Sequence, residues 1–202
     1  MVIGQGAIGS YPIGGGLSLD THQRLIQGST TVKLVVSGLI IPEKRVGEGI
    51  LLKSASSIWD EIARRLSNDW NVAYQLSPQT WEEIVAGAFH KSGYEVVLTP
   101  RTGDHGRDVI AVKSGIGCIK IIGSVKAYRQ DRLVSYDDVR ALIGVMSGER
   151  DVSKGLITTT SDFPPNIERD PFIAPFLPTR LELVNFRKLQ KWLTDLDSPS
   201  SA

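Results

Sequence analysis

The sequence predicts an α/β fold in which a mixed central sheet is flanked by helices. From residue 78 onward, segments with apolar residues at helical spacing alternate with short runs rich in β-branched residues. One such run, Ile119–Val125, is apolar up to Gly123 except for Lys120, which is typical of a central strand buried on both faces. A chain of 202 residues, 41% of them hydrophobic, can form one substantial domain of this kind with a small appendage.

Composition excludes several classes of protein. The single cysteine, Cys118, excludes an intramolecular disulfide framework and a cysteine-rich zinc site, and it indicates a reducing cytoplasm. No apolar run approaches the length of a membrane span, and no basic segment leads into an apolar one at the N-terminus. We therefore expect neither a membrane protein nor a secretory signal. The net charge of +1 neither supports nor excludes nucleic-acid binding, because a local basic cleft can occur on a neutral protein.

Changes in composition divide the chain into four parts. Residues 1–29 are rich in glycine and predict a flexible arm, and residues 197–202 form a tail. Residues 30–74 predict a small N-terminal appendage with one strand, over residues 30–41 and ended by Gly38 and Pro42, and one helix over residues 56–67. A homodimer or a complex with a partner protein would form through this appendage. Residues 75–196 form the main domain.

The main domain begins with a helix whose two ends are marked in the sequence. Ser77 followed by Pro78 is a strong helix start, and Gly93 suits the left-handed residue that follows a helix. Further elements are expected in this order: a strand to Leu98, strands around Val109 and at Ile119–Val125, a helix from Tyr136 to Ser147, a parallel strand near Leu156, and a strand at Leu181–Val184 followed by a helix with Leu189, Trp192 and Leu193.

An aspartate and a lysine stand at the ends of two adjacent predicted strands. Asp108 directly precedes the strand around Val109, and Lys126 directly follows Val125. Hydrolysis of a phosphodiester needs charge neutralisation at the transition state and a water activated near neutral pH. A magnesium ion held by carboxylate supplies both, and a lysine beside it can orient the water or stabilise the developing charge. The pair indicates phosphodiester hydrolysis, although the two side chains could also form a structural ion pair with each other.

Six short motifs follow one another in the order of a known family. They are Trp81-Glu82-Glu83-Ile84-Val85, Gly93-Tyr94-Glu95-Val96, Gly103-Asp104-His105-Gly106-Arg107-Asp108-Val109-Ile110-Ala111, Ser124-Val125-Lys126-Ala127-Tyr128, Val139-Arg140-Ala141-Leu142-Ile143-Gly144-Val145 and Lys154-Gly155-Leu156-Ile157-Thr158-Thr159-Thr160. With them, the sequence from about Leu76 to Leu193 resembles the Mrr-like restriction endonucleases of the PD-(D/E)XK nuclease superfamily. The resemblance implies a restriction-endonuclease-like fold for the main domain, DNA as the substrate, and magnesium as the cofactor, with manganese able to substitute.

The resemblance also implies roles for individual residues. Asp108 matches the metal-binding aspartate of the family, and Lys126 matches its catalytic lysine. Glu82 matches the helix glutamate that turns toward the metal, and its neighbour Glu83 is the weaker candidate. Ser124 stands at a metal-ligand position where the family usually has glutamate or glutamine, and a serine hydroxyl is shorter and neutral.

Other polar residues near this pair are candidates for contact with DNA. The candidates are His105, Arg107, Tyr128 and Arg129, each of which could equally be a plain surface residue. The hydroxyl run Thr158–Ser161 could bind phosphate or cap the segment that follows it.

The sequence therefore predicts a magnesium-dependent endodeoxyribonuclease that acts in the cytoplasm, in restriction or defence against foreign DNA. The alternative, favoured by the serine at position 124, is a catalytically impaired nuclease-fold module. Such a module would bind nucleic acid or a partner protein without cleaving.

Overall fold

The structure is a computed structural model that describes residues 37–100 and 106–197. Its elements are β1 (Ile40–Val46), β2 (Gly49–Ala55), α1 (Ser57–Asn68), a 3-10 helix (Trp70–Gln75), α2 (Pro78–Lys91), β3 (Glu95–Leu98), β4 (Val109–Lys113), β5 (Ile119–Lys126), α3 (Tyr136–Gly148), β6 (Lys154–Thr159), two short 3-10 helices (Ile167–Arg169 and Ala174–Phe176), β7 (Leu181–Val184) and α4 (Phe186–Asp197). The predicted mixed sheet with flanking helices is confirmed.

The strands of the described ranges form one sheet in the order β1-β2-β3-β4-β5-β6-β7. Neighbouring strands from β1 to β5 are antiparallel, and β5, β6 and β7 are parallel to one another. Helix α3 connects β5 to β6, as a parallel pair requires a crossover. The carboxyl ends of β3, β5, β6 and β7 therefore lie at the same edge of the sheet as the start of β4.

Two hydrophobic cores cover the two faces of the sheet. Residues of α1, α2 and α4 pack on one face, together with Val109 and Ile121. Residues of α3 and of the segment after β6 pack on the other face, together with Ile110 and Ile122. The alternation of Ile121 and Ile122 between the two cores confirms that β5 is a central strand buried on both sides.

The helix signals at Ser77 and Gly93 are confirmed by the structure. The Ser77 side chain accepts a hydrogen bond of 3.1 Å from the Thr80 backbone N–H, and Pro78 is the first residue of α2. Gly93 has φ +83°, a conformation that a residue with a side chain rarely adopts. In α4, Leu189 and Leu193 are fully buried, and Trp192 donates from its indole to the Ser92 hydroxyl at 3.3 Å.

The prediction for the N-terminal appendage was wrong about its strand. Residues 30–36 lie outside the described residues, and the observed strand β1 runs on through Pro42 to Val46, with irregular register around the proline. Because β1 is an edge strand, a residue without an N–H group can be accommodated there. The second strand of this hairpin, β2, was not predicted, and it joins the appendage to the main sheet by pairing with β3.

No helix of the described ranges is long and apolar enough to cross a lipid bilayer.

Gly87 on α2 tests how the appendage helix is seated on the main domain. A Cβ at this position would overlap the indole of Trp59 on α1, whose Nε1 donates to the Ile84 carbonyl at 2.9 Å. We expect Gly87→Ala to lower the free energy of unfolding by about 1–3 kcal/mol through overpacking. The matched control is Gly144→Ala in α3, where a Cβ meets nothing within 4 Å and should stabilise by about 0.5–1 kcal/mol. Urea unfolding measures both, and equal stabilisation by the two substitutions would contradict the packing.

Candidate active site

Asp108 directly precedes β4, at the edge of the sheet where β5 ends. Its backbone N–H donates to the Gly123 carbonyl at 2.8 Å, and its carbonyl accepts from the Thr99 N–H at 3.1 Å. Val109, the first residue of β4, is paired with the same Gly123. These backbone contacts place Asp108 beside the part of β5 that carries Ser124.

The carboxylate of Asp108 is anchored to the backbone of β5. Its Oδ2 accepts a hydrogen bond of 2.5 Å from the Val125 N–H. Bonds between an amide and an ionised carboxylate are shorter and stronger than those between neutral groups. The bond limits the orientations that this carboxylate can take.

Ser124 and Lys126 share one face of β5. Ile122, two residues before Ser124, packs into the core beneath α3, and side chains two residues apart in a strand point the same way. Ser124 is 3% exposed, whereas the Lys126 side chain retains 24% of its exposure at the strand end. The structure thus brings Asp108, Ser124 and Lys126 together at one sheet edge.

The ion-pair partner of Lys126 is Asp138 on α3 rather than Asp108. The Lys126 ammonium lies 3.4 Å from Asp138 Oδ1. Burial alone would raise the pKa of Asp138, but hydrogen bonds from the Ser135 hydroxyl and backbone, together with the Lys126 charge, outweigh it and lower that pKa. The alternative in which Asp108 and Lys126 form a structural pair with each other is not what the structure contains.

The hydroxyl run Thr158–Ser161, at the end of β6, fixes the segment that follows Lys126. The Thr159 hydroxyl donates to the Lys126 carbonyl at 2.9 Å, and the Thr160 hydroxyl donates to the Tyr128 carbonyl at 2.6 Å. The Ser161 hydroxyl reaches the Gln130 carbonyl at 3.4 Å. The Thr159 hydroxyl also accepts from the Ser161 N–H at 3.1 Å, which agrees with the alternative that the run caps the segment that follows it. Phosphate binding by the run stays a prediction, and within the described residues the Thr158 hydroxyl has no hydrogen-bond partner.

Glu82 and Glu83 lie on α2, which packs on the face of the sheet opposite to α3. Glu82 is half-buried in the second turn of the helix, and its relation to Asp108 stays a prediction. Burial raises the pKa of the Glu83 carboxyl, and a hydrogen bond from the Leu39 backbone offsets this only in part. Within the described residues the Glu83 Oε2 has no hydrogen-bond partner. Glu83, the less favoured candidate, thus has a carboxyl that burial affects and that is only partly hydrogen-bonded.

The oxygen donors at this edge fit a hard cation that keeps part of its water shell. They comprise the Asp108 carboxylate and the Ser124 hydroxyl, and the residues that the structure describes hold no cluster of three His, Cys, Asp or Glu side chains. Magnesium is commonly held by one or two carboxylates, with phosphate oxygens and water as its remaining ligands. A donor set with one carboxylate suits a magnesium ion that binds together with a phosphate.

A family comparison matches residues 73–193 to the model Mrr_cat, described as a restriction endonuclease. The match covers more than half of the chain and includes all strands from β3 to β7. The chain belongs to this restriction endonuclease family. No curated protein sequence matches the chain.

Two solved restriction endonucleases are similar to the chain in structure. The DNA modification-dependent restriction endonuclease AspBHI has 14% identity and a TM-score of 0.49, over 93% of this chain and 46% of its own. MspJI, in complex with a 27-mer oligonucleotide, has 15% identity and a TM-score of 0.45, over 69% of this chain and 32% of its own. The chain spans less than half the length of either protein.

The candidates for DNA contact differ in their surroundings. Arg107 is 14% exposed and its guanidinium lies 2.5 Å from Glu149, so a phosphate would have to compete with this carboxylate. Tyr128 is half-buried, with its hydroxyl 3.4 Å from Asp138. Arg129 is exposed at the surface. His105 lies outside the described residues.

Two contacts in the site of this restriction endonuclease chain were not predicted from the sequence, namely that of Asp138 with Lys126 and those of the hydroxyls with backbone carbonyls. Asp138 is the last residue of a Ser-x-x-Asp pattern that begins at Ser135. The pattern indicates a helix cap and gives no sign of a contact with Lys126. The hydroxyl run at the end of β6 was a candidate, but its carbonyl partners lie about 30 residues earlier in the chain and could not be predicted. Both features depend on tertiary contacts.

Arg107 and Arg129 provide a test of which arginine is structural. We expect Arg107→Ala to lower the free energy of unfolding by about 1–2 kcal/mol, because Glu149 loses a charged partner in a mostly buried pair. Arg129→Ala, at an exposed position, should change it by less than about 0.5 kcal/mol. Urea unfolding of both variants distinguishes them, and a neutral Arg107→Ala would contradict the structural role.

Proposed function

We propose that the chain is a magnesium-dependent endonuclease that hydrolyses DNA phosphodiester bonds, acting in the cytoplasm in restriction or defence against foreign DNA. The observation that carries the proposal is the placement of Asp108, Ser124 and Lys126 at one end of β5 in a chain of the restriction endonuclease family. These residue types at this edge match the needs of phosphodiester hydrolysis.

In this proposal Asp108 and Ser124 hold the cation, and Glu82 supports it. Bound magnesium would neutralise phosphate charge and make a water molecule nucleophilic, and manganese would substitute because it accepts the same oxygen ligands. The role of Glu82 is indirect, because α2 packs on the face of the sheet away from Lys126. An indirect role fits a contact through water.

The chain's own residues orient the reacting groups. The Val125 N–H keeps the Asp108 carboxylate at the strand end. The Lys126 ammonium, partly exposed there, would donate to a phosphate oxygen or to the attacking water. Arg129 and Tyr128 follow on the same segment and would contact the DNA backbone, with His105 and Arg107 as further candidates.

A catalytically impaired module that binds nucleic acid or a partner protein is the second candidate. The serine at position 124 favours it, because a neutral hydroxyl attracts a divalent cation less strongly than a carboxylate.

For either function we propose that residues 30–74 contact a second copy or a partner protein. In support, β1 lies at the edge of the sheet, and every residue of it after Ile40 is exposed.

The main prediction is that the purified protein nicks or linearises plasmid DNA with magnesium or manganese and is silent with a chelator. Asp108→Asn and Lys126→Ala should each lower the rate by about 10²–10³-fold, because both remove charge that acts on the transition state. Asn at position 108 keeps an acceptor for the Val125 N–H, so the fold should be retained. Glu82→Gln should lower the rate by about tenfold.

Gel assays of supercoiled plasmid under a titration of both metals measure these effects, and circular dichroism checks the fold of each variant. Intact plasmid at every metal concentration would favour the impaired module. A folded Asp108→Asn protein with full activity would instead contradict the assignment of the site.

A separate prediction concerns the serine. Ser124→Glu should tighten magnesium binding, because a second carboxylate would stand on β5 next to Val125, whose N–H is bonded to the Asp108 carboxylate. It should also raise activity or shift the metal preference from manganese toward magnesium. Ser124→Gln is the matched control of equal size, and it should gain much less affinity because it adds no charge. Calorimetry with magnesium compares the three proteins, and equal affinities in folded variants would show that position 124 holds no metal.

A further inference from the structure

We propose that Asp138 is a positioning residue that holds the Lys126 ammonium in place for DNA cleavage. The inference rests on the proposed nuclease function and goes beyond it, because it assigns a role to a carboxylate on α3 outside the family motifs around Asp108 and Lys126. It starts from one contact, the 3.4 Å separation between the Lys126 ammonium and Asp138 Oδ1.

A catalytic lysine at a strand end needs an external restraint. The side chain has four rotatable bonds and a compact charge, so an unrestrained ammonium samples many positions around the reacting phosphate. Lys126 is the last residue of β5, and its side chain is 24% exposed. Backbone pairing fixes where the side chain begins but leaves the position of its charged end open.

Asp138 is itself held rigidly. The Ser135 backbone N–H and hydroxyl both donate to Asp138 Oδ2, at 3.1 and 2.8 Å, and the Asp138 N–H donates back to that hydroxyl at 3.0 Å. This reciprocal arrangement is a capping box at the first turn of α3. Because Oδ2 is occupied by the cap, Oδ1 is the oxygen that faces Lys126.

The segment between β5 and α3 reinforces the arrangement from its other side. The Tyr128 hydroxyl lies 3.4 Å from Asp138 Oδ2, and the Arg132 guanidinium stacks 4.0 Å from the centre of the Tyr128 ring. The Tyr128 carbonyl is held in turn by the Thr160 hydroxyl. The lysine and its acceptor are therefore both tied to backbone that other side chains have fixed.

Capping α3 and positioning the Lys126 ammonium require different chemical properties of residue 138. A neutral amide oxygen can accept the cap hydrogen bonds, whereas the ion pair with the Lys126 ammonium requires an anion. Glutamate satisfies both demands, because it is the usual residue at this position of a capping box and it keeps the charge. The two roles can therefore be separated by substitution.

The test compares Asp138→Asn, Asp138→Glu and Ser135→Ala with the wild type in plasmid cleavage. Asp138→Asn should lower kcat by about 10–100-fold. Its KM for DNA should change by less than about threefold, because the pair orients a reacting group and does not carry the DNA affinity. Asp138→Glu should restore kcat to within about fivefold of the wild type. Ser135→Ala should lower the thermal midpoint by about 2–4 °C with kcat changed by less than about threefold.

Several results would overturn the inference. A kcat loss in Ser135→Ala as large as that in Asp138→Asn would mean that only the helix cap matters. A large loss of magnesium affinity in Asp138→Asn, measured by calorimetry, would make Asp138 a metal ligand instead. Unchanged kcat in a folded Asp138→Asn protein would show that Asp138 does not position Lys126 for cleavage.

A readout that needs no cleavage separates this inference from the proposed function. The ammonium protons of Lys126 exchange slowly enough for detection in ¹H–¹⁵N spectra when the group is held in an ion pair, and their signal should be lost in Asp138→Asn. If the wild type cuts no DNA with any metal, the proposed function fails and the catalytic role of Asp138 fails with it. If the wild type cuts DNA but the signal is the same in both proteins, only the positioning role is overturned.

Discussion

The backbone of β5 is hydrogen-bonded to β4 along one side and to β6 along the other, and every part of the candidate site depends on this double pairing. The antiparallel pairing with β4 brings Asp108 to the end of β5, where its N–H bonds to the Gly123 carbonyl and its carboxylate accepts from the Val125 N–H. The parallel register with β6 sets Lys126 beside Thr159, from which the hydroxyls that fix the following segment begin. A shift of one residue in β5 would turn Ser124 and Lys126 to the opposite face, away from α3.

The charged groups at the edge are held mainly by neutral partners. Backbone N–H groups hold the Asp108 and Asp138 carboxylates, and hydroxyls hold the carbonyls of the segment that carries Tyr128. Such hydrogen bonds restrain a charge without cancelling it, whereas an ion pair such as that of Arg107 with Glu149 largely neutralises both partners. Lys126 is the exception, because its ammonium forms an ion pair with Asp138 while its side chain stays partly exposed at the end of β5.

The parts of the fold that the sequence predicted are those with strong local signals. Helix α2 was predicted to within one residue because Ser77, Pro78 and Gly93 mark its ends, and β7 because Leu181–Val184 is a short, mostly apolar run. The β1–β2 hairpin was not predicted, because a proline within β1 argues locally against a strand and only the edge position makes it tolerable. Asp108 and Lys126 could be found from motifs, whereas the Asp138 contact requires α3 to be folded against the sheet.

The charges at the end of β5 can be compared for a carboxylate and for the serine at position 124. A carboxylate at position 124 would place two acids and one lysine, Asp108, residue 124 and Lys126, at the edge where β5 ends. With Ser124, the same count of two carboxylates to one ammonium is reached through Asp138, which comes from α3 and faces the lysine. Because Asp138 Oδ2 is committed to the helix cap, this carboxylate can offset the lysine charge but is poorly placed to replace a strand ligand for a metal. In the proposed function, the cation would therefore have Asp108 as its one strand carboxylate, and its binding would depend strongly on the phosphate that accompanies it.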